Sequence, residues 1–305
     1  MLTFLLAVTV LAPVAPGAAP LPPAELPQAA APAVAPPDPA LRQKLDGLIA
    51  ASGAEVAVAF RTLDGRQELF ISPNQVFHAA STMKVPVMIE MFRQAKVGFF
   101  KLDDRLTVVN SFRSIVDESL YQLSAADEDE KELYTAVGQT RTYRQLCELM
   151  ITVSSNLATN ILIDKLGVEK IQQTTLDLGG IGMSVRRGVE DAKAFRAGLN
   201  NATTAKALLV LLEAIAREQA ISQTASREMI EVLKRQRFND AIPAGLPPGT
   251  VVAHKTGSIT RVQHDAAVVY GPRPYVLVVL TRGIEDEAKS KALIAEIAKV
   301  VHGAV

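Results

Sequence analysis

One cysteine, Cys147, stands in a chain of 305 residues, so an internal disulfide and any cysteine-built metal cage are excluded. The four histidines, His78, His254, His264 and His302, have no ligand-like spacing, which leaves no metal motif and no cofactor motif. Neither sign of charge is in excess: 32 acidic side chains face 32 basic ones. A nucleic-acid partner therefore lacks its electrostatic footprint, and an acidic disordered chain is equally excluded. No G-x-S-x-G elbow and no internal repeat of 20–50 residues occur.

The chain does hold an apolar opening, LTFLLAVTVLAPVA at residues 2–15. It is too short to span a bilayer comfortably and contains Pro13, so it reads as the apolar region of a signal peptide over residues 1–19. No Lys or Arg precedes it, and no cysteine follows to carry a lipid. Ten of the 17 prolines fall in residues 13–39, which makes 20–38 an extended Pro/Ala linker or a disordered leader. Export to the periplasm or medium of a bacterium is the expectation, with no transmembrane span in the mature domain.

From residue 39 to 305 the pattern is that of one large domain. Asp38-Pro39 is a helix start, with Leu41, Leu45, Leu48 and Ile49 on one face. Ala54–Arg61 alternates like a half-buried strand, and Glu68–Ile71 returns after the turn at Asp64-Gly65. Helices are predicted over 82–96, 142–152, 156–166, 168–178, 203–218, 223–236 and 285–301, with Gly167 and Gly179 as C-caps. Ala266–Tyr270 and Tyr275–Thr281 are strands about Gly271-Pro272. Strands cluster at the two ends of the chain and helices fill the middle. That order excludes a doubly wound sheet. It predicts an α+β fold: an α/β lobe, its antiparallel sheet packed by the N- and C-terminal helices, plus an all-helical lobe, with a cleft between.

Three short motifs carry the chemistry. Ser81-Thr82-Met83-Lys84 opens the most apolar helix. A spacing of three brings Ser81 and Lys84 to one face, at the positive helix end. A lysine in so apolar a segment loses its preference for the charged form and can take a proton from a serine. The bland alternative is a capping serine and a solvated lysine. Pro86, inside the first turns, is expected to disturb one backbone bond. Ser154-Ser155-Asn156 lies between two helices, where Asn156 could simply cap the second and Ser154 turn the chain. Lys255-Thr256-Gly257 follows a strand-like Val251–Ala253. Gly257 admits close approach to the backbone, and Lys255 offers a cation.

In this order, S-x-x-K, S-x-N and K-T-G resemble the serine β-lactamase and penicillin-binding protein superfamily, and most closely its class A β-lactamase-like branch. The resemblance spans about residues 40–303. It implies that Ser81 is the acylated nucleophile and Lys84 takes or relays its proton. Ser154 protonates the departing nitrogen, and Asn156 holds the substrate amide. Lys255 and Thr256, with Arg261 as helper, bind a carboxylate; the N–H groups of Ser81 and Ser258, next to Gly257, form an oxyanion hole. The implied substrate is a β-lactam or a cell-wall peptide, handled by a monomer without a cofactor. Ser155 departs from the usual Asp. Glu190, 34 residues after Asn156, stands where the branch carries its deacylating Glu, but Ala194 replaces the Asn expected four residues on; the nearest amides are Asn200 and Asn201. Glu190 is thus either the base or a surface acid. The implied function is a serine β-lactamase; a D-alanyl-D-alanine carboxypeptidase-like hydrolase and a non-catalytic penicillin sensor are the alternatives.

Overall fold

The computed structural model describes residues 38–127 and 130–305. The expected signal peptide and most of the linker lie outside the described residues. Asp38 caps helix α1 (Pro39–Ser52) through its carboxylate on the Ala40 N–H, and Gly53 closes the helix with a left-handed φ of 67°. Strands β1 (Glu55–Thr62) and β2 (Glu68–Ile71) follow, then helix α2 (Lys84–Lys96). The middle contributes α3 (Tyr143–Thr152), α4 (Asn156–Leu166), α5 (Val168–Asp177), α6 (Ala205–Ala216) and α7 (Gln223–Lys234). The chain ends with β3 (Val251–Ile259), β4 (Val262–Tyr270), β5 (Tyr275–Arg282) and α8 (Glu287–His302).

The five strands form one antiparallel sheet in the order β2-β1-β5-β4-β3. Here β1 departs from the half-buried expectation, because both of its faces are covered. Val56, Val58 and Phe60 join Leu45 of α1 and Ile294 and Ile297 of α8 in one apolar cluster. Ala57 and Ala59 face the other way, into the cluster that holds Leu208, Leu211 and Leu212 of α6. Alternation thus marks which helix each side chain meets rather than a wet face and a dry one. The helical lobe also carries short two-stranded ladders, Arg105–Thr107 on Thr140–Thr142 and Phe112–Arg113 on Leu120–Tyr121.

Helix α2 runs through the centre, with ten of its residues buried. It begins at Lys84 rather than at residue 82, because Ala80–Met83 forms a tighter 3-10 turn. Pro86 is therefore the third helical residue. Its missing N–H falls among the first-turn donors that have no intrahelical acceptor, so the predicted disturbance does not arise. A fully buried carboxylate ties α2 to α5: Glu90 accepts from Arg93, from Gln94 and, at 2.6 Å, from the Thr174 hydroxyl. Cys147 is buried on α3, where burial pushes its thiol pKa up and leaves it an inert core group.

Candidate active site

The three motifs converge between the sheet edge and the helical lobe. Ser81 lies in the 3-10 turn, where residues three apart eclipse, so it shares an edge with Lys84. Its predecessor Ala80 is held at φ 45°, a left-handed conformation that costs a non-glycine residue about 1–2 kcal/mol. The turn is fixed by its neighbours: Asn201 accepts the Ala79 N–H at 2.9 Å, and the His78 ring nitrogen Nδ1 accepts the Ala80 N–H at 3.0 Å.

Gly257 explains how strand β3 reaches this turn. A Cβ there would stand 3.2 Å from the Ser81 nitrogen, 3.2 Å from Ala80 Cβ and 3.1 Å from Thr82 Cγ2. Any side chain there would require the turn or the strand to give by a few tenths of an ångström. Ser258, next along, is exposed at the cleft, and its hydroxyl accepts from Gln263 at 2.7 Å.

Lys84 and Lys255 are both fully buried and meet at one hydroxyl. Ser154 Oγ lies 3.1 Å from Lys84 Nζ and 3.0 Å from Lys255 Nζ. Ser154 is itself in the left-handed region, φ 57°, between α3 and α4. Burial, then the neighbouring Lys84 charge, holds Lys255 well below the ordinary lysine range, against a partial upward pull from Asp265. Such a cation gains most from an incoming carboxylate.

Capping roles are divided differently from the bland reading of the second motif. Ser155, not Asn156, caps α4, its hydroxyl accepting the Ala158 N–H. The Asp expected there is thus replaced by another good cap. Asn156 is left to the site: its Oδ1 accepts from Lys84 at 2.8 Å, and its Nδ2 donates to Glu190 Oε1 at 3.0 Å. Glu190 is therefore brought into the constellation, at φ 61° on the loop ahead of the short helix Ala192–Arg196.

That loop is tied down at both ends. Asp191 is buried, which works to raise its pKa; donation from the Ala194 and Ile115 N–H groups and the Ser114 hydroxyl, with the Arg187 charge, outweighs burial and holds it below the usual carboxylate range. Asn200 and Asn201 are engaged by the segment just ahead of Glu190. Asn200 accepts from the Arg187 guanidinium at 2.9 Å, and Asn201 bonds the backbone of Arg186 and Arg187.

Arg261 stands at the hairpin end of strand β3. It sits at φ 60° in the β3–β4 turn, over half exposed, donating to Gly283 O and 3.6 Å from Glu285. Its neighbours Ile259 and Thr260 are among the walls of the cavity on the Glu190 side.

Two cavities meet at Ser81, Asn156 and Ser258. One, about 550 Å³, has Glu190, Phe195 and Ile259 among its walls; the other, about 470 Å³, runs past Ser154, Thr256 and Gln263. Sequence reasoning missed His78, Arg187, Phe195 and Gln263. Arg187 and Phe195 are remote in sequence from the three motifs; His78 and Gln263 lie within a few residues of them, but no local pattern distinguishes either from a surface or core residue.

The β-lactamase enzyme family model matches residues 40–305. The chain belongs to this family. A β-lactamase of Bacillus licheniformis is 28% identical over 240 residues, 68% of this chain and 78% of that protein. β-Lactamase CTX-M-97 of Escherichia coli is 27% identical over 271 residues, 86% and 89% of the two chains. The solved structure of PBP-A superposes with a TM-score of 0.76 at 27% identity, covering 89% of this chain and 98% of its own. With its family relatives, the chain is a hydrolase of the serine β-lactamase type.

Proposed function

We propose that the protein opens β-lactams through an acyl-enzyme on Ser81 and clears it with water activated by Glu190. The observation that carries this is the junction at Ser154, one hydroxyl between two buried lysines, joined through Asn156 to Glu190. Ser81 Oγ attacks the lactam carbonyl while its proton passes to Lys84. The N–H groups of Ser81 and Ser258 receive the developing oxyanion. The C–N bond breaks as the ring nitrogen takes a proton through Ser154, which Lys84 can resupply. Lys255 and Thr256 hold the substrate carboxylate in the cavity on the Ser154 side. Glu190 then deprotonates water, the ester is hydrolysed, and Ser81 is restored.

Ala194 in place of a second amide supports a second reading, hydrolysis of cell-wall peptides with slow release of β-lactams. Both readings use the same acylation. We further propose an exported monomer, its leader ending before the capped α1; no helix among the described residues is long and apolar enough to cross a membrane. Purified protein given nitrocefin and penicillin G, followed by absorbance and intact mass, tests the reading. Turnover with a transient adduct is expected. Ser81→Ala abolishes the adduct with the fold intact; an adduct of unchanged yield in that variant refutes Ser81 as nucleophile, and a stable wild-type adduct favours the peptide reading.

A further inference from the structure

His78 takes no part in the chemistry proposed above, yet its ring bears on the nucleophile's turn. It lies in the short strand Phe77–His78, which pairs with Ala202–Thr203. Its main-chain oxygen accepts from His264 Nε2 at 2.9 Å, so the residue is anchored from β4. Its Nδ1 accepts the N–H of Ala80, two residues on. With that lone pair engaged, the neutral ring carries its proton on Nε2. The Ser81 nitrogen follows Ala80 directly. Were Ala80 to relax from φ 45° to an ordinary negative φ, the Ser81 N–H would swing away and Ala80 Cβ would shift against Gly257.

We propose that His78 is a positioning residue: by accepting the Ala80 N–H at Nδ1 it holds the left-handed turn that aims Ser81, and it releases that turn when the ring is protonated. The inference rests on Ser81 being the nucleophile. The sign is set by the acceptor. A protonated Nδ1 becomes a donor facing a donor, so the bond exists above the His78 pKa and is lost as pH falls through it. Burial, and then the positive charge of Arg187, lower that pKa. Both effects favour the neutral, bonded ring. The other titratable groups near the ring are His264, which burial holds down at about 4, and Glu190 and Asp191 across the shared cavity. Phe195, its ring centroid 6.5 Å away and edge-on, adds no charge.

The test compares acylation rates, read as the appearance of the penicillin adduct by mass, in wild type, His78→Leu and His78→Asn. Leucine has no acceptor, and its rate falls about tenfold at neutral pH, the equivalent of ~1.4 kcal/mol. Asparagine can take the N–H two residues on as an Asx turn does, and recovers most of that loss. Because it does not titrate, its rate also holds at acid pH where the wild type declines. Nitrogen NMR of wild-type His78 is expected to show the Nε2–H tautomer at neutral pH. If His78→Leu does not fold, the asparagine profile and the tautomer carry the test. Coincident acid limbs in wild type and His78→Asn, or an Nδ1–H tautomer, overturn the proposal. A wild type that forms no adduct at all overturns the functional reading itself.

Discussion

Glu190→Gln separates the two halves of the proposed reaction. The substitution preserves length, and its side-chain oxygen can keep the 3.0 Å bond from Asn156. The backbone at φ 61° is no harder for glutamine than for glutamate. The contacts of Lys84 with Asn156 and Ser154, and of Lys255 with Ser154, do not involve the altered group. Acylation of Ser81 is therefore expected to proceed at close to the parent rate. What disappears is the carboxylate that takes a proton from water. A positioned general base contributes about 10²–10⁴-fold, which at ~1.4 kcal/mol per decade is about 3–5 kcal/mol of deacylation barrier. Stopped-flow absorbance with nitrocefin should show a burst of one equivalent followed by slow turnover. Intact mass should show an adduct that persists. Turnover within a few-fold of the parent would refute the assignment, leave Glu190 as a loop acid bonded to Asn156, and move the peptide-hydrolase reading ahead.

Lys255 should lose its charge at a lower pH than an ordinary lysine, because burial first and Lys84 second disfavour its cation. The affinity for carboxylate-bearing β-lactams is then full below that pKa and lost as pH rises through it, seen as a KM that climbs in the alkaline limb; a KM flat to pH 10 contradicts this. Gly257→Ala places a methyl 3.1–3.2 Å from the turn that carries Ser81, so strand β3 must draw back and with it an oxyanion donor. Acylation should fall about 10²–10³-fold with the circular-dichroism spectrum unchanged, and a rate within threefold of the parent would show that the approach is not needed. Ser155→Ala removes the cap of α4 and should cost about 1 kcal/mol, a fall of about 2–4 °C in Tm by calorimetry; no fall would mean that the exposed N–H is satisfied elsewhere.

The sequence by itself determined the main elements and the three motifs that converge on the candidate site. Local rules place the Asp38 cap, the glycine stops at Gly167 and Gly179 and the apolar strands near the C-terminus, because each acts within one helical turn or one strand. The serine, lysine and asparagine motifs were legible for the same reason: each is a few residues long. Tertiary structure alone decided which surfaces β1 buries, since the terminal helices α1 and α8 cover one of its faces and α6, from the middle of the chain, covers the other. It decided that Ser155 caps α4 and so leaves Asn156 for Lys84 and Glu190. It placed Arg261 in the hairpin turn and set His78 against the turn that carries Ser81, by pairing with a strand over a hundred residues away. These are outcomes of close packing between segments distant in sequence, where distance and angle, not residue type, select the partner.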